Sequence, residues 1–559
     1  MKTIINKIKQ AVWISACALA TVTLSTSCND YLDEPIYDSW GEDFFSSTER
    51  LNLGVRGVLE SFSSQDTYGM SWMVFDCDTD ISHIQGAGTG HVARDLGHYN
   101  IYTSHVWLEN AWKLYYKAID RANFILAKKD DVIVADTDKD RATYKQLIAE
   151  ARVMRSLAYF DLIRLFGDVP YKDTYTVLDG EDMKYPRTDS QEIYGHICEE
   201  MEEAVPDLLW HDEFPGGYVG RFSKGAGHAL LSRMYLFRAG WSLRQSGTME
   251  RPAEYMDYYR KASEHAGMVI QSGKHALNAK YDAVFKNMCE YKLEPQENLY
   301  EFQFYSATAQ KGGSSQVGTY NGVLIAQGSS FGRANSYIKT HHFFYDTFED
   351  TDLRKDVSVA TWRINYTDGK DVYAPIARNQ SYTWAPAKWR RDWHAGDAKD
   401  PNYTNVNWVF LRYSDVLLMK AEAENEVNNG PTESAVDCLN QVRRRAYGYD
   451  PNIPNATLDY TVSDFDKDTF FKEIVAERAR ELCFEGHRRM DLIRWNMLGD
   501  AITNTKKQFD AAIAAGELRQ YSFDAGIRFT PNKHELYPVP SREILETGNF
   551  WKQNPGYTN

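Results

Sequence analysis

Acidic and basic side chains crowd one stretch near the C-terminus. Glu477 to Trp495, reading ERARELCFEGHRRMDLIRW, packs four acids and five arginines into nineteen residues. An acid/base centre would need two carboxylates with separated pKa values around a substrate. Here the arginines would hold every acid ionised, since guanidinium forks grip carboxylates bidentately. The stretch therefore reads as an ion-pair network and not as a catalytic site. On a helix, Glu477, Glu481 and Glu485 share a face at i, i+4 spacing, and Phe471, Val475, Ala479 and Leu482 form an apolar stripe. Gly486 is the expected stop.

Other chemistries find less support. Gly86-Ala-Gly-Thr-Gly90 resembles a phosphate loop, but no strand precedes it and no Lys-Ser/Thr follows, so it reads as a flexible surface loop. Asp76-Cys77-Asp78-Thr79-Asp80 alternates acids that could hold calcium, although it lacks the glycine and closing glutamate of an EF-hand. No HExxH or clustered His/Cys set occurs, which leaves zinc catalysis nothing to stand on. A glycosidase needs two carboxyls about 5 to 9.5 Å apart, a geometry that 78 acids always permit on paper. The aromatic residues are more informative. Trp362, Trp384, Trp389, Trp393 and Trp408 fall in one non-periodic region, and exposed rings there would offer flat faces to sugars.

The elements that must carry such groups are mostly helices. Helical periodicity covers 46–59, 106–127, 142–166, 190–209, 223–243, 255–272, 411–428 and 432–446. Ser46 or Ser47 caps the first, and Gly167-Asp-Val-Pro170 ends the third. The pairs 411–428/432–446 and 223–243/255–272 resemble tetratricopeptide repeats. Between them, 275–408 is rich in glycine, asparagine and aromatics, with short strands such as Asn298–Tyr305.

The chain has 559 residues with net charge −15, which repels phosphate backbones and disfavours nucleic acid as a partner. Lys2, Lys7 and Lys9 precede an apolar run, Ala11–Leu24, too short to span a bilayer comfortably. Leu-Ser-Thr-Ser-Cys then places Cys28 in what looks like a loose lipobox, so residues 1–27 read as a lipoprotein signal peptide and Cys28 as the lipid anchor. Residues 28–45 read as an exposed tether. The remaining cysteines are scattered and indicate neither a zinc site nor a disulfide scaffold.

Glu477–Trp495 also carries a resemblance. The order ER..EL.FEG.R..DL.RW is similar to the C-terminal signature of the RagB/SusD family, surface glycan-binding lipoproteins of Bacteroidota. It is joined, in the family's order, by VWLENAWKLYYKAIDRAN at 106–123, AEARVMRSLAYFDLIRLFGDVPY at 149–171, RFSKGAGHALLSRMYL at 221–236, FLRYSDVLLMKAEAENE at 410–426, CLNQVRRRAYG at 438–448, ELYPVPSREI at 535–544 and QNPGY at 553–557. The resemblance implies a mainly α fold, a single domain over 46–559. Four tetratricopeptide-like helix pairs (within 46–274 and 409–559) would support a loop-rich half at 275–408. It implies a non-catalytic protein on the outer-membrane surface, held by its lipid alone, that takes up oligosaccharide or polysaccharide and passes it to a SusC-like TonB-dependent transporter. The acids after Cys28 resemble the family's surface-export signal. Family members bind glycan through loops before the first long helix and in mid-chain, which points to Trp72, Tyr99, Tyr305, Tyr320 and Trp384, with Trp389 and Trp408 assigned to core. A lipid-anchored helical glycosidase and a peptide-binding scaffold are the alternatives.

Overall fold

The computed structural model describes residues 45–177, 185–306, 313–394 and 402–558. Cys28 and nearly all of its tether lie outside them. The exception is Phe45, which is not exposed tether: its ring is buried against Phe124 and lies over Gly54, where any side chain would collide with it.

A run of helices forms the scaffold. α1 (Thr48–Leu59) packs on α2 (Val106–Ala127) and α3 (Asp138–Phe166), and α3 packs in turn on α4 (Ser190–Ala204). Then come α5 (Lys224–Ala239) and α6 (Tyr255–Gln271), each against its predecessor. α7 (Tyr413–Val427) lies on α6 although 272–412 intervene, and carries α8 (Glu433–Ala446) and α9 (Lys467–Glu481) on its flanks. The sequence explains the pairing. α2 buries Leu108, Ala111, Trp112, Tyr115, Ala118, Ile119 and Ala122, an i, i+3, i+4 stripe. In α3, alanines at 149, 151 and 158 permit close approach on more than one side. α3 begins at Asp138, earlier than its apolar pattern, because Thr137 caps it and Asp138 and Asp140 suit the positive N-terminal end. Gly167 closes it, at φ +70° and so close to Leu536 that a Cβ would clash. α4 is shorter than its pattern because Val205-Pro206-Asp207 forms a 3-10 turn.

The inserted region has little regular structure. Short antiparallel pairs form within it and between it and its flanks, among them β1 (His83–Ile84) with β3 (Ile338–Lys339), β2 (Asn298–Phe302) with β6 (Trp408–Arg412), and β4 (Trp362–Thr367) with β5 (Lys370–Pro375). β2 stops at Phe302, short of Tyr305. Trp389 and Trp408 stack in the core at 5.8 Å. Cys77, Cys198, Cys289, Cys438 and Cys483 are buried free thiols.

The charged stretch ties these parts together, with one departure from helical expectation. α9 ends at Glu481; Glu485 follows in a turn with Phe484 at φ +66° and Gly486 at φ +81°. The turn carries Glu485 back to the same network. Glu481 accepts from Arg354 (3.1 Å), Arg412 (2.9 Å) and Arg445 (2.6 Å). Glu485 accepts from Lys388 (2.6 Å) and Arg412 (2.7 and 2.9 Å), and Glu477 from Arg354 (2.6 Å). Glu297, just before β2, takes Arg412 and Arg445, both at 3.0 Å. Every one of these side chains is at most 1% exposed. Burial alone would raise the Glu481 carboxyl; Arg445, Arg412 and Arg354 hold it well below the ordinary carboxylate range. Glu477 and Glu485 are lowered in the same way against their burial, by Arg354 and Arg480, and by Arg412 and Lys388.

Candidate functional site

Three segments meet in one cavity of about 650 Å³, lined by Gln85–Gly86 and Arg94, by Leu324–Gln327 with Arg333, Asn335 and Tyr337, and by Arg363–Asn365 of β4. Backbone bridges hold these segments together. Ile325 exchanges backbone hydrogen bonds with Ala334 (3.1 and 3.2 Å), while Ala326 N donates to Ile364 O (2.9 Å) and Ile364 N to Leu324 O (3.0 Å). Ile325, Ala334 and Ile364 are thereby packed into a small cluster of their own, each at most 1% exposed. Strand alternation then turns Arg363 and Asn365, the neighbours of Ile364, to the opposite side.

The walls are braced from behind. Tyr337 stacks on Tyr320 (4.5 Å, 19°) and on His91 (5.5 Å, 17°), and Gln85 N donates to Tyr337 O (2.7 Å). Arg391 donates to Phe331 O and Arg333 O (both 2.9 Å), fixing the backbone that bears Arg333. Asn335 Nδ2 donates to Asn402 Oδ1 (2.8 Å). The Gly86–Gly90 loop lies at the surface, and the short strand β1 does precede it; Gly86, Gly88 and Gly90 all have φ between +80° and +91°, which glycine adopts without penalty. Gly88 N donates to Asp524 (2.6 Å) and Gly90 N to Asp95 (3.0 Å), so these amides are already committed to carboxylates and offer no phosphate cradle.

The cavity is polar in a particular way. Its lining offers the amides Gln85, Gln327, Asn335 and Asn365 and three arginines, with no carboxylate. Hydrogen-bonding side chains suit a ligand with many hydroxyls. The two-carboxylate arrangement of a glycosidase is not assembled in this cavity.

Of the five rings the resemblance nominated, four are buried. Trp72 is 2% exposed; its indole N–H donates to Gly486 O (3.2 Å), and it packs where a Cβ on Gly486 would sit, so it locks the turn of the charged stretch. Tyr99 is 3% exposed, at φ +57°, donates to Asp78 O (3.1 Å) and meets Phe529 edge-on. Trp384 is 4% exposed, donates to Ile376 O (3.2 Å) and meets Tyr345 edge-on. None of these three has a free face for a sugar. Tyr320 backs Tyr337, and burial pushes its phenol pKa up. Only Tyr305 among the five faces solvent, and it does not line the cavity.

The alternating acids do not converge on a cation either. Asp76 accepts from Arg489 N (2.8 Å), Asp78 from Ile84 N (3.2 Å), and Asp80 pairs bidentately with Arg488 (2.9 and 2.6 Å). Among the described residues no group of His, Cys, Asp or Glu is placed to hold a metal ion, and no helix is long and apolar enough to cross a membrane. Burial moves Asp76 up to about 7 and Asp78 up to about 6.

A reading biased to aromatics misses the arginines and amides that line the cavity. Gly86–Gly90 marks the first wall, but nothing local marks Arg333 or Arg363.

Comparison with known proteins bears on the whole chain. The family described as "SusD family" matches residues 268–557, and that described as "Starch-binding associating with outer membrane" matches 30–236. A "SusD-like protein" of Formosa agariphila is 25% identical, covering 95% of this chain and 97% of its own. The "Starch-binding protein SusD" of Bacteroides thetaiotaomicron is 24% identical over 78% of this chain and 76% of its own. A crystal structure of a SusD homolog from the same organism superposes with a TM-score of 0.82 at 28% identity, covering 92% of this chain and 98% of that one.

Proposed function

Because the chain belongs to the SusD family, we propose that it is a surface glycan-binding protein that captures oligosaccharide in the cavity between Gln85 and Asn365. The observation that carries this reading is the lining itself: amide and guanidinium side chains, on segments that the helical scaffold carries. No acid/base pair is required, because the task is to hold and release a ligand. Acylation of Cys28 would tether the protein to the outer membrane with its binding face to the medium, and a SusC-like TonB-dependent transporter would receive the glycan. Tyr305, exposed and outside the lining, is retained as an outer contact for longer chains.

Isothermal titration of the purified protein against a panel of plant, algal, host and microbial polysaccharides tests the reading. Saturable binding of at least one polymer, without release of reducing ends, is the expected result. Repeated turnover of substrate, or no binding to any polymer with intact folding, would overturn it.

A further inference from the structure

The three cavity arginines stand apart from the chain's overall charge. In a sequence with 78 acids against 63 bases, Arg94, Arg333 and Arg363 converge on one cavity whose lining includes no acid. Among the described residues none of the three makes an ion pair. Arg94 lies over Gly86 and gives one N–H to Ala87 O (3.1 Å), while its Nε–H is buried without a partner. Arg333 and Arg363 are exposed, with their guanidinium groups uncommitted among the described residues. Arg391 fixes the Arg333 backbone through Phe331 O and Arg333 O, and the Ile325–Ile364 bridge fixes that of Arg363, so both side chains spring from a fixed backbone.

Like charges gathered without counter-charge repel one another, and that repulsion is relieved when an anion enters. Guanidinium forks match the paired oxygens of a carboxylate or sulfate. Taking the cavity as a glycan site, on which this step rests, we infer that its ligand is an anionic saccharide, a polymer bearing uronate carboxylates or sulfate esters. The amides would bond the hydroxyls and the arginines the acidic group.

The test uses the full mature protein and isothermal titration. One arm takes oligogalacturonate and alginate oligomers, a second takes sulfated chondroitin and carrageenan oligomers, and a third takes the neutral maltoheptaose, laminarin and galactomannan. Binding is expected in the uronate or the sulfate arm. It should weaken at least tenfold between low salt and 0.5 M NaCl, since exposed charges are screened within about 4 Å at that strength. Arg333→Ala with Arg363→Ala should weaken it at least tenfold while the urea midpoint stays at the wild-type value; Arg333→Lys should recover part of the loss. Carbodiimide activation of a uronate that binds, followed by borohydride reduction of the activated carboxyl to the neutral sugar, should abolish its binding. Tight binding of a neutral glycan, unaffected by the double substitution, would overturn the anionic assignment and leave the glycan-binding reading standing. Absence of binding in all three arms would overturn both.

Discussion

Arginine serves two regions of this protein in opposite ways. Around Glu481 the chain supplies both signs of charge: Arg354, Arg412 and Arg445 each meet carboxylates inside a site that excludes water. Around the cavity it supplies only one sign, and Arg333 and Arg363 remain in solvent. The side chains are the same; what differs is whether the fold provides the counter-charge. Where it does, the network joins the segment before β2, the end of β6, α8 and α9, and its energy goes into the native state. Where it does not, that energy is left for a ligand.

The largest test of this contrast is Glu481→Ala. It leaves three buried guanidiniums short of a carboxylate, and breaking such a buried set costs roughly 3–5 kcal/mol. Urea unfolding should show that loss, while glycan affinity of the surviving folded protein stays unchanged. A clean loss of binding at full stability would reverse the roles assigned to the two regions.

Arg488→Ala should cost less. Its partner Asp80 is 28% exposed at the side chain and can be rehydrated, so about 1–3 kcal/mol is expected from the lost charged hydrogen bonds.

Acid should separate the regions further. Glu477, Glu481 and Glu485 have folded pKa values below the ordinary 4.5, so the folded state binds fewer protons than the unfolded one. Their contribution is present above pH 4.5 and is lost as pH falls through the lower folded values. Asp76 has the opposite sign: raised to about 7 from 3.8, it makes the folded state bind more protons, so stability declines as pH rises between those values. Asp76→Asn should flatten that decline, as read from urea midpoints between about pH 4 and pH 7; an unchanged slope would show that Asp76 is already ionised.

The smallest expected effect is at Tyr305. Tyr305→Ala should leave stability unchanged and weaken only longer oligosaccharides, about 2- to 5-fold, as expected for a stacking contact of up to about 1 kcal/mol. An equal loss for a monosaccharide would place Tyr305 inside the cavity.

The scaffold can be read directly from the sequence. The apolar spacing and length of α2 agree locally and bound it at the observed residues, and α5 to α8 differ from their patterns by only a few residues at their ends. The ion network is legible in kind, since five arginines beside four acids admit little else. Its closing partners are not: Glu297, Arg354, Lys388 and Arg412 lie far away in the chain. The aromatic rings mislead for a related reason. Trp72, Tyr99 and Trp384 sit in irregular sequence, where burial has no period to announce it, yet each is buried as fully as a helix core residue.

The sequence by itself determined the helices, the order of the signature segments and hence the family, because each depends on spacings of a few residues. Only the tertiary structure decided where a ligand could sit. The cavity needs Gly86, Arg333 and Arg363 side by side, and they are brought together by the short bridges through Ile325 and by the stack on Tyr337. Whether an arginine ends in an ion pair or in open solvent depends on which distant carboxylate reaches it, and no local pattern encodes that.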